Sequence, residues 1–294
     1  MGKKHVAVPK KMLAGVLAMT LSASLVAVAP ASALAASKPK VATPTVSKVV
    51  PSAKGFTVKW KKMSAKKVNG YQVRYATNAK MKSAKTLTIK KASTASKTSP
   101  ALKSATTYYV KVRAYKKVGK KTYYSPWSKA KTVTTKLRSG DATLDKGVNN
   151  ILDKKTGRNG KTSLKKAFDY VSKMPYASKG NTQPKGKWNI TGAKKMIANK
   201  GGNCYESAAL FCWLAKGMGY EAKAVSGKTS GRAHGWVEVK IGGKWYICDP
   251  NNTNTLLRFP DSKVAKQIVE EKGLALDSCL FLQPKDDTLF KYTK

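Results

Sequence analysis

The chain has 294 residues, with 58 Lys and Arg against 14 Asp and Glu and a formal net charge of +44. Such a charge attracts polyanions through a field that weakens as salt rises, yet no nucleic-acid fold or aromatic-interleaved basic motif is visible, so nucleic acid is not expected as a partner. No cysteine pair has zinc-ligand spacing and no glycine-rich phosphate loop is present, so no metal, nucleotide or other cofactor is expected.

Residues 1–36 read as a signal peptide. Lys3, Lys4, Lys10 and Lys11 precede an apolar run from Met12 to Ala29, and small residues follow with A-x-A sites at Ala31–Ala33 and Ala33–Ala35. No later run is long enough to span a bilayer, and no transmembrane anchor is expected. The expected product is exported, either free or held to a cell surface by its own binding.

Residues 38–136 alternate apolar and polar positions in short runs such as Phe56–Trp60, Tyr71–Tyr75 and Tyr109–Ala114, with turn residues between them. This is the pattern of one all-β sandwich. The stretch resembles a fibronectin type III module at Trp60, at Tyr71 and Val73, in the Leu102 to Tyr108 spacing, and in Ser125-Pro126-Trp127-Ser128. Trp60, Tyr71 and Tyr108 read as core. The module's charge is one-sided: 27 Lys and Arg lie between Lys38 and Arg138, and no Asp or Glu precedes Asp141. An anionic cell-wall polymer or acidic glycan is the natural partner for such a surface, although lysines spread over every strand also fit a plain solvated face.

Residues 137–145 read as a linker, softest at Arg138–Asp141, and 146–294 as an α+β domain. Its first helices are expected from Val148, from Leu164 capped by Ser163, and around Ala193 capped by Thr191. The next helix is better marked. Asn203 is an N-cap, Glu206 stands where a capping box needs it, Ala208, Phe211, Cys212 and Ala215 recur at helical spacing, and Gly217 supplies a stop. Cys204 therefore sits at a helix N-terminus, where unpaired N–H groups and the positive end of the dipole favour negative charge on sulfur.

A strand from Glu221 to Gly227, then a glycine-bearing loop over 228–233, lead to His234. Beyond it, Gly242-Gly243 marks a hairpin turn between alternating runs. If Ile241 pairs with Lys244, Asp249 becomes the diagonal neighbour of His234 on one sheet face, within side-chain reach. His5 belongs to the leader, so His234 is the one imidazole of the processed chain. Thiol, imidazole and carboxylate are the parts of a cysteine nucleophile with its base and orienting group. Cys212, Cys248 and Cys279 read as packed residues, with a Cys248 to Cys279 bridge left open.

The motifs GGNC, A-x-L-F-x-x-L, HGWVEV and GKWYICDP resemble those of the bacterial transglutaminase-like superfamily of papain-type cysteine enzymes, over roughly residues 141–294. The resemblance implies that Cys204, His234 and Asp249 form a triad that attacks amide bonds of peptides or proteins through a thioester, resolved by water or by an amine. Trp236 and Trp188 are the candidate substrate-binding residues, and Trp188 or Asn181 the candidate second oxyanion donor beside the Cys204 N–H. The alternative is a non-catalytic protein that binds a surface or extracellular polymer through its basic module.

Overall fold

The computed structural model describes residues 38–177 and 183–294, so the expected signal peptide and Asn181 lie outside the described residues. Eight strands come first: β1 (Val46–Ser52), β2 (Gly55–Trp60), β3 (Gly70–Ala76), β4 (Lys85–Ile89), β5 (Ser96–Thr98), β6 (Thr107–Val118), β7 (Lys121–Tyr124) and β8 (Lys131–Thr134). They form one sheet in the order β1-β2-β5 and a second in the order β4-β3-β6-β7, with β8 also pairing β6.

Period-two alternation builds this sandwich. Along β6, Tyr108, Val110, Val112 and Ala114 are buried while Lys111 and Arg113 face outward. Trp60 packs on Tyr71 with ring centroids 5.2 Å apart, and Phe56 meets Tyr75 edge-on at 5.6 Å. Tyr108 accepts the Lys103 N–H at 3.4 Å, closing the corner its spacing predicts. Between β7 and β8, the hydroxyls of Ser125 and Ser128 accept the N–H groups of Ala114 and Val112, each at 3.0 Å. The serines thus replace strand pairing across the break, and Trp127 is left outside over the Arg113 guanidinium at 4.5 Å.

The expected linker is structured. Helix α1 spans Ala142–Ile151, not a stretch beginning at Val148, because Asp141 caps it by accepting the Leu144 N–H. Asn149 holds Leu137 from both sides, accepting its N–H at 2.9 Å and donating to its carbonyl at 3.0 Å. Leu137 is buried in the core of the second half. Lys136 pairs with Asp153 at 2.8 Å, and Thr134 donates to the Asn159 side chain at 2.6 Å. Residues 39–294 accordingly form one unit.

A π-helical turn (Leu152–Thr156) follows α1, and then come α2 (Gly160–Ser172), α3 (Trp188–Asn199) and α4 (Cys204–Gly217). Helix α2 begins three residues before Ser163 and α3 three before Thr191, so neither residue is a cap. Strands β9 (Glu221–Thr229), β10 (Arg232–Ile241) and β11 (Lys244–Cys248) come next, then α5 (Pro250–Arg258), α6 (Lys263–Glu270), β12 (Gln283–Pro284) and β13 (Tyr292–Thr293). The sheet order is β12-β11-β10-β9-β13. The loop expected over 228–233 is only the turn Ser230-Gly231, both at positive φ, joining two strands in direct register.

Helix α4 is buried on nearly every side, through Ala208, Leu210, Phe211, Cys212, Leu214 and Ala215. It is the centre of the second core, enclosed by the other helices and one face of the sheet.

Candidate active site

Two local features place Cys204. The expected capping box forms: the Asn203 side chain accepts the Glu206 N–H at 3.1 Å, and Glu206 Oε2 accepts the Asn203 N–H at 3.1 Å. Such a cap is worth about 1 kcal/mol and fixes where the helix begins. The glycines before it are required by space, since a Cβ on Gly202 would lie 2.3 Å from Glu206 Oε2 and 2.7 Å from the Met196 sulfur. The Cys204 N–H lies in the first helical turn, where it has no intrahelical acceptor.

His234 comes from β10, opposite Gly227 of β9. Its neighbour Gly235 lets the strand meet the nucleophile helix, for a Cβ there would stand 3.0 Å from the Tyr205 Cα and 3.2 Å from the Cys204 carbonyl oxygen. The β10–β11 register starts from Ile241 paired with Lys244, as the glycine turn predicts, and runs to Val237 paired with Cys248. There it stops. Asp249 is not a strand residue diagonal to His234; it is the N-cap of α5, with Oδ1 accepting the Asn252 N–H at 3.0 Å. The cap still turns the carboxylate to the imidazole, and His234 Nε2 donates to Asp249 Oδ2 at 2.8 Å.

The thiol, the imidazole and the carboxylate are thus brought together. Burial alone would lower the His234 pKa, but the Asp249 charge, its hydrogen bond and the hydrogen bond and charge of Cys204 outweigh it and raise the value to about 10. With Nε2 committed to Asp249, Nδ1 is the ring nitrogen that serves Cys204. Asp249 is fully buried, Cys204 is 2% exposed and His234 7% exposed.

A fourth side chain was not legible from the sequence. Tyr292, in β13, donates its hydroxyl to the same Asp249 Oδ2 at 2.9 Å. Burial, followed by the Asp249 charge and hydrogen bond, pushes its pKa up. Its ring packs on Trp236 with centroids 5.1 Å apart. Trp236 itself is 1% exposed in a small cluster with Val225 and Ile247, so it offers substrate no surface and its expected binding role is corrected to packing beneath the site. Trp188 is half-buried at the start of α3, with its ring edge-on to that of Tyr205, the residue after Cys204, at 5.9 Å.

The other three cysteines are free and buried. Burial pushes the thiols of Cys212, Cys248 and Cys279 up to about 11, 12 and 11. Cys248 and Cys279 are not bridged: Cys248 Sγ accepts the Leu282 N–H at 3.4 Å, and the Cys279 thiol donates to the Leu276 carbonyl at 3.4 Å. Among the described residues no group of three His, Cys, Asp or Glu is arranged to hold a metal, and no helix is long and apolar enough to cross a membrane.

Residues 148–250 match the Transglutaminase-like superfamily, and residues 38–131 match the Fibronectin type III domain. No curated protein matches the chain. Among solved structures, the chicken CNTN1 FN1–FN3 domains are 30% identical, with 31% of this chain covering 30% of that one at a TM-score of 0.27. The fn3 domain of human contactin 1 is 24% identical, over 39% of this chain and 98% of that one, at 0.29. The chain spans less than a third of the first structure's length.

Proposed function

For a chain that joins a fibronectin type III domain to a domain of the transglutaminase-like superfamily, we propose an exported, cysteine-dependent acyl-transfer enzyme acting on amide bonds of peptides or proteins. The observation that carries the reading is His234, held by Asp249 at 2.8 Å and charge-coupled to the helix-tip Cys204. In the proposed reaction the Cys204 sulfur attacks the amide carbonyl carbon. His234, keeping the thiol proton, passes it to the leaving amine, and Asp249 fixes the ring and stabilises its positive form. The oxygen that becomes negative is met by the Cys204 backbone N–H. Water then resolves the thioester in a peptidase or amidase, and a primary amine resolves it in a crosslinking enzyme. Trp188 is the candidate substrate wall. The basic first domain would hold the enzyme to an anionic wall polymer or acidic glycan.

The test is product analysis of a peptide library incubated with and without a labelled primary amine. Cleaved peptide or incorporated amine that disappears in Cys204→Ala supports the enzyme and separates hydrolysis from transfer. One observation favours the competing reading, a non-catalytic binding protein: Cys204 is only 2% exposed. No product above the Cys204→Ala background would make that reading the right one.

A further inference from the structure

A cavity of about 440 Å³ opens beside His234, lined among others by Thr229, Ser230, Arg232, Asn252 and Phe290. Its position follows from the register. Arg232 pairs with Thr229 and His234 with Gly227, so Arg232, Thr229 and His234 share one face of the β9–β10 hairpin. Two residues along a strand span about 7 Å, which is the distance between neighbouring functional groups on a short peptide. The turn Ser230-Gly231 closes the hairpin immediately beyond, with φ of 51° and 81°.

The lining is cationic or neutral throughout. Arg232 and His234 are its ionisable members, hydroxyls and the Asn252 amide supply the remaining side-chain polarity, and none of the lining residues is acidic. Asp249 stands behind the imidazole, fully buried, and does not line the cavity. Thr229 adds an independent sign. It is 7% exposed, and its hydroxyl has no hydrogen-bond partner among the described residues, although a buried polar atom ordinarily finds one. A ligand with an acceptor atom would complete it.

We propose that this cavity is a carboxylate subsite, in which Arg232 and Thr229 take a substrate carboxylate one short spacing away from the carbonyl that Cys204 attacks. The inference rests on the acyl-transfer reading and names its substrate class: peptides that carry an acidic group next to the reacting amide, from a C-terminal α-carboxylate or an acidic side chain.

Iodoacetate and iodoacetamide test it, since both alkylate a thiol by forming an S–C bond and expelling iodide, and they differ in carboxylate against amide. The readout is the ratio of their rates at Cys204, followed by mass spectrometry in the full chain. Arg232→Gln should lower that ratio about fivefold or more and Thr229→Val about twofold, while Lys244→Gln, at the far hairpin turn, shifts it less than twofold as a control for general charge. A ratio in Arg232→Gln within a factor of about two of wild type, or equal to that of the Lys244 control, would overturn the subsite. Failure of both reagents to label Cys204 would instead overturn the acyl-transfer reading. The source of the carboxylate is assigned by which of N-acetylglycine and the α-amide of N-acetylaspartate slows iodoacetamide labelling more.

Discussion

The two halves of this chain bury different things. In the sandwich the buried polar side chains are all hydroxyls, Ser125, Ser128, Thr134 and Thr135, around a core of aromatic and aliphatic residues. The second half buries Arg158, His234, Glu238 and Asp249 as well. Each has an ionic partner: Arg158 meets Asp153 at 2.7 Å, Glu238 meets Lys285 at 3.2 Å, and His234 meets Asp249 at 2.8 Å. Burying charge costs stability that apolar packing would not, even when the charge is paired. Ionic burial thus sets the second half, which carries the candidate site, apart from the sandwich.

Removing the carboxylate is the sharpest way to break that contrast. Asp249→Ala takes away at once the acceptor of His234, Tyr292 and the Asn252 N–H, and activity on amide substrates should fall about a hundredfold or more. The lost α5 cap adds about 1 kcal/mol of destabilisation. Asp249→Asn keeps a capping side chain, so it should retain the cap's share of the stability and still lose activity. Wild-type turnover in Asp249→Ala would remove the distinction between the halves.

The boundary between them is next. Leu137 follows the last strand of the sandwich yet is 5% exposed in the second core. Leu137→Ala should cost about 2–4 kcal/mol in urea unfolding, as a buried leucine does. A loss below about 0.5 kcal/mol, ordinary for a surface change, would return this segment to a plain linker.

Tyr292→Phe sharpens the comparison on a smaller scale, because it keeps the ring on Trp236 and removes one donor to Asp249. Turnover should fall about three- to tenfold with KM less affected, since the ring stays in place and only the hold on the Asp249 carboxylate is weakened. Unchanged turnover would reduce Tyr292 to packing. The smallest effect concerns His234 and stability. Its folded pKa, about 10, lies above the ordinary 6.5, so its contribution is full below about pH 6.5 and is lost as pH rises through 10. The denaturation midpoints of wild type and His234→Gln should therefore converge over that window; a gap that widens with pH would contradict the assigned shift.

What could be read from the sequence was local. The capping box at Asn203 and Glu206 and the glycine turn at 242–243 each lie within a few residues and dictate one geometry, so the α4 start and the β10–β11 register followed from them. The alternation past the glycine turn points Asp249 at His234 as a strand residue, and the α5 cap makes the same pairing from a different element, because a strand and a helix cap can aim the same side chain. Tyr292 was out of reach: it lies 43 residues from Asp249, in a two-residue strand with no periodicity of its own. Trp236 is packed rather than open to substrate because both faces of β10 are covered, and alternation alone does not tell a cleft from a second core. The α1 start did carry a signal, Asp141 three residues before Leu144, which the neighbouring Gly140 made look like a loop.

The central claim is that Cys204 differs in kind from the other three thiols, and cysteine-resolved alkylation with iodoacetamide at neutral pH tests it most directly. Cys204, coupled to His234, should label rapidly while Cys212, Cys248 and Cys279, whose thiols burial pushes up to about 11, 12 and 11, remain unmodified in the folded protein. Equal, slow labelling of all four would contradict the account.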